Sequence, residues 1–231
     1  MALCFAAGSS QYAELPSVYT DLIASTTNMT FSIWFRTTNG ASQPFLWSTK
    51  GAGTGRSFLE LNFLVGFYFG TNGTFITTDG RLTRNDTWTH LCVTRSSVTG
   101  NGSIWVNGVN YYNAALPAHQ SGTGDLYLGR FDSGFYLSGK LYDFQIHNAV
   151  LTQAQIRNVW AGNAVTTNRV ARWLMNETSG TSIADSVGSR NGTTFGATWD
   201  TDAPTYGVLD SGGGGGSLIN SQQLVRQGWI S

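Results

Sequence analysis

The sequence predicts an all-β protein: a two-sheet antiparallel jelly-roll sandwich with one short helix near 152–161 and an extended C-terminal tail. Three observations predict it. Short runs of alternating apolar and polar residues recur along most of the chain, broken by Gly, Asn, Asp and Ser clusters. Aromatic residues outnumber charged ones, 13% against 11%, and glycines number 29, a composition of strands and tight turns rather than helices. Only one segment carries apolar residues at helical spacing with start and stop signals.

The elements follow in order. Thr30–Arg36 reads as a strand ended by Asn39-Gly40, and 57–69 as one or two strands ended by Asn72-Gly73. Trp88–Arg95 alternates, with Leu91 and Val93 against His90, Cys92 and Thr94. Ser103–Val106 and Val109–Tyr112 flank Asn107-Gly108, the pair that suits a type I′ hairpin because both central residues need positive φ. Leu141–His147 places Tyr142, Phe144 and Ile146 on one face and Asp143, Gln145 and His147 on the other, so each sheet is expected to have one buried and one wetter face. Thr152 and Gln155 form a T-x-x-Q capping box, Ile156, Val159 and Trp160 follow at helical spacing, and Gly162 stops the helix. Residues 170–199 return to strands and turns, too few to bury a core of their own, and are expected to complete the same sandwich.

The expected organisation is a jelly roll over 1–205, a Gly-rich linker over 206–217 and an apolar docking tail over 218–231. In the tail, Leu218, Ile219, Leu224, Val225, Trp229 and Ile230 would dock on a partner, either another protein of a larger particle or further copies of this chain. Thirteen basic and thirteen acidic residues give no net charge and no basic stripe, which disfavours nucleic acid. No apolar run approaches the roughly 20 residues a membrane helix needs. Met1–Phe5 has neither a basic region nor a long apolar core, so no leader peptide is expected. Cys4 and Cys92 read as two strand thiols rather than a disulfide framework.

An ordered set of segments resembles the laminin G-like jelly rolls of the concanavalin A-like lectin/glucanase group. The set runs from Leu3–Tyr12 through Phe31–Arg36, Trp88–Arg95 and Ile104–Gly108. It ends in Leu126–Arg130, Leu137–His147 and Leu151–Ile156, which carry the strongest likeness. Residues 171–193 resemble a segment that often precedes such a domain, but here it follows. The resemblance implies a binding module, often for glycans and sometimes with calcium, without deciding function, because this fold hosts lectins, glucanases and structural domains.

The chemistry in the sequence points to binding rather than catalysis. Glycoside hydrolysis needs two facing carboxylates; this chain has only Glu14, Glu60 and Glu177 as glutamates, and Glu60-Leu61-Asn62-Phe63-Leu64 lacks the acidic partners of an alternating acidic strand. His90, His119 and His147 are isolated, with no zinc spacing, and His90 is expected to pack rather than react. No cofactor is expected; calcium is the one ion with candidates, Asp79 and Asp132, each equally a turn former. Arg130, Phe131, Phe135 and Tyr136 on the loop 129–136, together with Trp47, are the expected ligand-facing rim.

These features together predict a non-enzymatic structural or binding module. The leading reading is a virion surface protein, a capsid decoration or tail component held by its C-terminal tail. Its lectin-like domain would touch glycans, and its partners would be other virion proteins or its own copies. The alternative is an extracellular carbohydrate-binding lectin or adhesin with no virus involved.

Overall fold

The computed structural model describes residues 1–18, 28–37, 45–49, 57–61, 65–69, 75–77, 86–115, 124–131 and 134–209; between 45 and 77 the strands are described by backbone, together with the Ser48 side chain. Among the described residues, eighteen strands and one α-helix follow in chain order. They are β1 (Ala2–Phe5), β2 (Tyr12–Leu15), β3 (Met29–Thr37), β4 (Phe45–Thr49), β5 (Ser57–Leu61), β6 (Val65–Phe69), β7 (Phe75–Thr77), β8 (Thr89–Arg95) and β9 (Asn101–Val106). Next come β10 (Val109–Ala115), β11 (Leu126–Leu128), β12 (Arg130–Phe131), β13 (Phe135–Tyr136), β14 (Gly139–His147) and α1 (Gln153–Trp160). The chain then forms β15 (Arg169–Trp173), β16 (Ser182–Ile183), β17 (Gly192–Phe195) and β18 (Thr198–Asp200).

Two antiparallel sheets stack. The first runs β10-β9-β8-β3-β14-β1-β18, with β15 also paired to β14; the second runs β16-β17-β2-β11-β4-β5-β6-β7. Their facing sides interlock Leu3, Phe5, Phe31, Ile33, Phe35, Leu91, Val93, Ile104, Leu126, Leu128, Phe144 and Ile146 in one dry core. Alternation puts these residues inward, since period-2 side chains of two stacked sheets must meet. The jelly-roll sandwich that the alternating pattern predicts is what forms. Asn107 and Gly108 have φ of 49° and 76°, as their hairpin requires. Helix α1 starts at the Thr152–Gln155 capping box, with both reciprocal bonds made, and stops before Gly162 at φ 76°.

Two expectations about faces fail, and one bulge explains the first. Between Tyr142 and Gln145 the pairing of β14 with β3 slips: Tyr142 stands opposite Trp34, but Gln145 stands opposite Ser32. Asp143 takes a left-handed φ of 49° to absorb the extra residue. Phe144 and Ile146 therefore join Leu141 in the core, while Tyr142 turns outward with Gln145 and His147. The outer face of this sheet is not wet either. Helix α1 and the residues before it cover Cys92 and Trp105 with Leu151, Ile156 and Val159. Residues 203–209 cover Trp34, Tyr142 and Trp160 with Ala203, Tyr206 and Leu209. This strap lies so close that a Cβ on Gly207 would sit 2.1 Å from the Trp160 ring. Asp202 fastens its start: it accepts from Trp88 Nε1 at 3.1 Å and Lys140 Nζ at 2.9 Å, and pairs with Arg36.

The C-terminal strands are built into both sheets. β15 pairs with the half of β14 beyond the bulge, β17 pairs with β2, and β18 pairs with β1. A buried ion pair fixes the first of these contacts. Arg172 Nε and Nη2 donate to Asp143 Oδ1 and Oδ2 at 2.7 and 3.0 Å, and Gln145 Nε2 donates to Oδ2 at 3.0 Å. The Asp143 carboxylate holds the Arg172 guanidinium above its ordinary pKa. Trp173 stacks on Phe144 with ring centroids 5.7 Å apart and donates Nε1–H to the Arg190 carbonyl.

Asp143→Asn keeps a residue tolerant of left-handed backbone but removes the charge facing Arg172. It should cost about 2 kcal/mol in urea unfolding, and Asp143→Ala about 3 kcal/mol. A change below a few tenths of a kcal/mol for both would mean the ion pair does not hold the C-terminal strands.

Candidate functional site

The outer face of the second sheet carries the most distinctive side-chain cluster. β2 lies between β11 and β17, with Tyr127 opposite Glu14, Glu14 opposite Thr193, and Tyr12 opposite Phe195. Their shared parity puts Tyr12, Tyr127 and Phe195 on the side away from the core, because paired residues in a ladder point the same way. Tyr12 and Phe195 stack at 4.7 Å with an interplanar angle of 11°, and Tyr127 meets Tyr12 edge-on at 5.5 Å.

The chain then leaves β11 through Gly129, whose φ of 73° turns it into β12. A Cβ at Gly129 would press on the Phe5 ring at 3.0 Å, so the turn needs glycine on both counts. Leu137 N–H donates to the Gly129 carbonyl at 2.8 Å and closes the base of a small hairpin in which Arg130 pairs with Tyr136 and Phe131 with Phe135. The buried Ser48 hydroxyl donates to the Arg130 carbonyl at 2.7 Å and pins the hairpin to β4. The Arg130 guanidinium consequently lies over Tyr12 at 4.5 Å and over Tyr127 at 4.7 Å, with Tyr136 at 5.8 Å. The result is a layered stack of Phe195, Tyr12 and Arg130. Phe195 remains 43% exposed, which leaves apolar ring surface one ring away from a delocalised cation, whereas Phe135, 39% exposed, alternates to the other face of the hairpin and meets Phe131 at 6.2 Å.

Four of the five rim residues expected from sequence, Arg130, Phe131, Phe135 and Tyr136, thus share one hairpin, although it is a two-stranded ladder and not an open loop. Trp47 does not lie in a loop: it is within β4, its backbone opposite Leu128, and its side chain is outside the described residues. Asp79 and Asp132 also lie outside the described residues, as do Leu218, Ile219, Leu224, Val225, Trp229 and Ile230. Tyr12, Tyr127 and Phe195 were not expected at the site. Phe195 is remote in sequence and joins only through β17; Tyr12 and Tyr127 alternate outward on their strands, which is the signal that could have marked them.

Among the described residues, the Ser32–His90 pair and the Cys92 thiol are sealed inside. Ser32 Oγ and His90 Nε2 are 2.8 Å apart, a spacing familiar from nucleophile–base pairs, yet both residues are buried beneath the outer cover of the first sheet. Burial pushes His90 down to about 3, so its imidazole stays neutral. Burial likewise raises the Cys92 thiol, so it stays protonated. Among the described residues no group of three or more His, Cys, Asp or Glu side chains could hold a metal ion, and no helix is long and apolar enough to cross a membrane.

Two stacked antiparallel sheets, a helix on one outer face and an aromatic–cationic cluster on the other define a lectin-like β sandwich. Residues 7–157 match Laminin_G_3, of the concanavalin A-like lectin/glucanases superfamily, and the chain belongs to that family. It is 35% identical over 91 residues to the pentraxin-related protein PTX3 of Bos taurus, a stretch covering 34% of this chain and 23% of that protein. A candidate carbohydrate-binding protein from Bacteroides ovatus has a similar structure, with TM-score 0.64 and 17% identity over 85% of this chain and 58% of that one. The heptameric SAP-like pentraxin of Limulus polyphemus gives TM-score 0.58 and 14% identity over 84% of this chain and 93% of that one. The CBM40 of the Ruminococcus gnavus IT-sialidase, bound to α2,3-sialyllactose, gives 0.54 and 15% over 68% and 95%. At these identities the structural likenesses show a common fold, and the chain spans about a quarter of the curated relative it matches.

His90 links this interior to pH with a definite sign. Its folded value of about 3 lies below the unfolded 6.5, so the neutral folded form is fully favoured above pH 6.5. Stability is then lost as pH falls from 6.5 towards 3, because the unfolded chain takes up the proton first. Thermal unfolding across that window should show the Tm falling, with a flatter slope in His90→Gln. Equal slopes in the two proteins would show that another group carries the dependence.

Proposed function

We propose that this chain is a non-enzymatic glycan-binding module, and that the outer face around Arg130, Tyr12, Tyr136 and Phe195 is where the sugar sits, with Phe131 and Phe135 on the far side of the same hairpin. The observation that carries this reading is the Arg130 guanidinium held over Tyr12 and Tyr127, with exposed Phe195 stacked on Tyr12. Sugars offer one apolar ring face and a rim of hydroxyls. Exposed aromatic faces stack against the first, and a fixed array of guanidinium N–H donors suits the second. The relatives with carbohydrate in their descriptions support the ligand class, and Trp47 is proposed as a further member of the same rim.

The finer reading is display on a larger particle, of which a virion surface is the case the composition favours. The strap 203–209 lies on the helix-covered face of the first sheet, opposite the aromatic cluster. The sequence then continues into Ser211–Ser217, a glycine tether, and the apolar segment 218–231. Anchorage through Leu218, Ile219, Leu224, Val225, Trp229 and Ile230 would therefore leave the sugar-facing side pointing away from the attachment. A repeated carrier would multiply weak single contacts. A free extracellular lectin keeps the same site and dispenses with the anchor. Asp79 and Asp132 remain the candidates if calcium takes part.

A glycan array with calcium and with EDTA should give a defined set of ligands. For those ligands, Phe195→Ala and Arg130→Ala should each weaken binding about tenfold, about 1.4 kcal/mol, in calorimetry. Variants that bind every glycan as the parent does would remove the outer face from the site. Separately, deletion of 211–231 should leave glycan affinity and Tm unchanged while abolishing attachment to the carrier particle; retained attachment would dismiss the anchor.

A further inference from the structure

Every sheet has two edges, and an edge strand presents unpaired N–H and C=O groups that template pairing with another chain unless something blunts them. Among the described residues, three of the four edges at the ends of the two sheets are blunted. β18 has three residues, ends in Asp200, and is tied by the Lys140–Asp200 pair. β16 has two residues and β7 three. β10 is different. It has seven residues, Val-Asn-Tyr-Tyr-Asn-Ala-Ala, and six of them are exposed. Among the described residues its only ladder partner is β9.

The usual guards are missing from β10. No Asp, Glu, Lys or Arg occurs anywhere from Ser96 to Gly124, and no proline falls within the strand. One guard is present, a bulge between Asn110 and Tyr112 that disturbs the first half. Beyond it Tyr112, Asn113, Ala114 and Ala115 run in unbroken register opposite Ile104, Ser103, Gly102 and Asn101. Val109 and Tyr111 add exposed apolar surface at 39% and 38%. A long, neutral, regular edge is an aggregation hazard in a protein that leaves it unused, which is why retained edges of this kind are usually occupied.

We infer that β10 is a dimerisation edge, pairing antiparallel with β10 of a second copy of this chain about a two-fold axis normal to the sheet. The occupant is chosen by self-complementarity. An antiparallel ladder between identical strands is isologous by construction, so one edge supplies both halves of the contact. The residue at the two-fold meets its own symmetry mate, so with the axis at Asn113, inside the regular half of the strand, a charge there would oppose itself. A strand free of charge, within a long uncharged stretch of chain, is what such a contact needs. A foreign strand would impose no such neutrality, and could be selected by complementary charge.

The symmetry has a geometric consequence. A two-fold normal to the sheet reverses strand direction but preserves which face is up. The first sheet would continue across the dimer, and both helix-covered faces would point one way. Both aromatic faces of the second sheet would point the other. The dimer is thus a parallel pair of outer faces, whatever those faces bind, and stands independently of the glycan reading.

Sedimentation velocity on the full chain should show a dimer that dissociates on dilution. Asn113→Lys places like charges across the axis at an exposed site. It should leave Tm unchanged at concentrations where the parent is itself dissociated, and at higher concentrations keep the sedimenting species at the 24.9 kDa monomer. Asn113→Glu should do the same alone, and an equimolar mixture of the two variants should restore dimers. A parent chain that stays monomeric at every concentration overturns the inference, and so does a Lys variant that remains dimeric. Self-association that vanishes on deleting 211–231 but survives Asn113→Lys would assign it to the tail, and overturns it equally.

Discussion

The bulge at Asp143 is the constraint on which the rest of the molecule depends. One extra residue in β14 lets a single strand serve three neighbours: β3 along one side, β1 and then β15 along the other. The bulge also aims the Asp143 carboxylate at Arg172, so that the kink in the ladder and the docking of the C-terminal strands are one event. Leaving a residue in left-handed backbone and a carboxylate buried at 2% exposure is costly unless both are compensated. The bidentate arginine, the Gln145 amide and the backbone bond from Asp143 N–H to the Leu174 carbonyl provide that compensation.

From that point the effects propagate to the outer face of the other sheet. With β15 fixed, Trp173 packs into the core against Phe144, and the chain crosses to the second sheet as β16 and β17. β17 then places Phe195 on Tyr12. Tyr12 in turn bears on Arg130, which the Gly129 turn and Ser48 hold from the far side. Residues separated by more than 180 positions therefore form one stack, and a defect near Asp143 would be felt at Phe195 with no direct contact between them. Preorganisation of this kind is what lets a shallow surface site recognise a ligand, because the ordering cost has been met by folding.

The two outer faces have been given different work. The outer face of the first sheet is consumed by cover: α1 on one half and the strap 203–209 on the other, over His90, Cys92, Trp34 and Tyr142. The outer face of the second sheet keeps exposed rings and a cation. The helix and the strap lie on the same side, and together they create this asymmetry.

The strand pattern, the Asn107-Gly108 turn and the capping box at Thr152 were legible in the sequence because each is a local rule satisfied within a few residues. So was the grouping of Arg130, Phe131, Phe135 and Tyr136, which adjacency alone brings together. The bulge could not be read, because Leu141–His147 alternates cleanly and the slip appears only against the register of β3. Nor could the burial of Ser32, whose polar alternation signals a wet face until a distant strap covers it, although His90 beside it was expected to pack. Tyr12 and Phe195 meet through strand pairing, which a linear chain does not encode by proximity. The sequence by itself determined which segments become strands and where they turn; tertiary structure decided which faces stay open, because burial depends on what packs across a sheet and not on the strand's own residues.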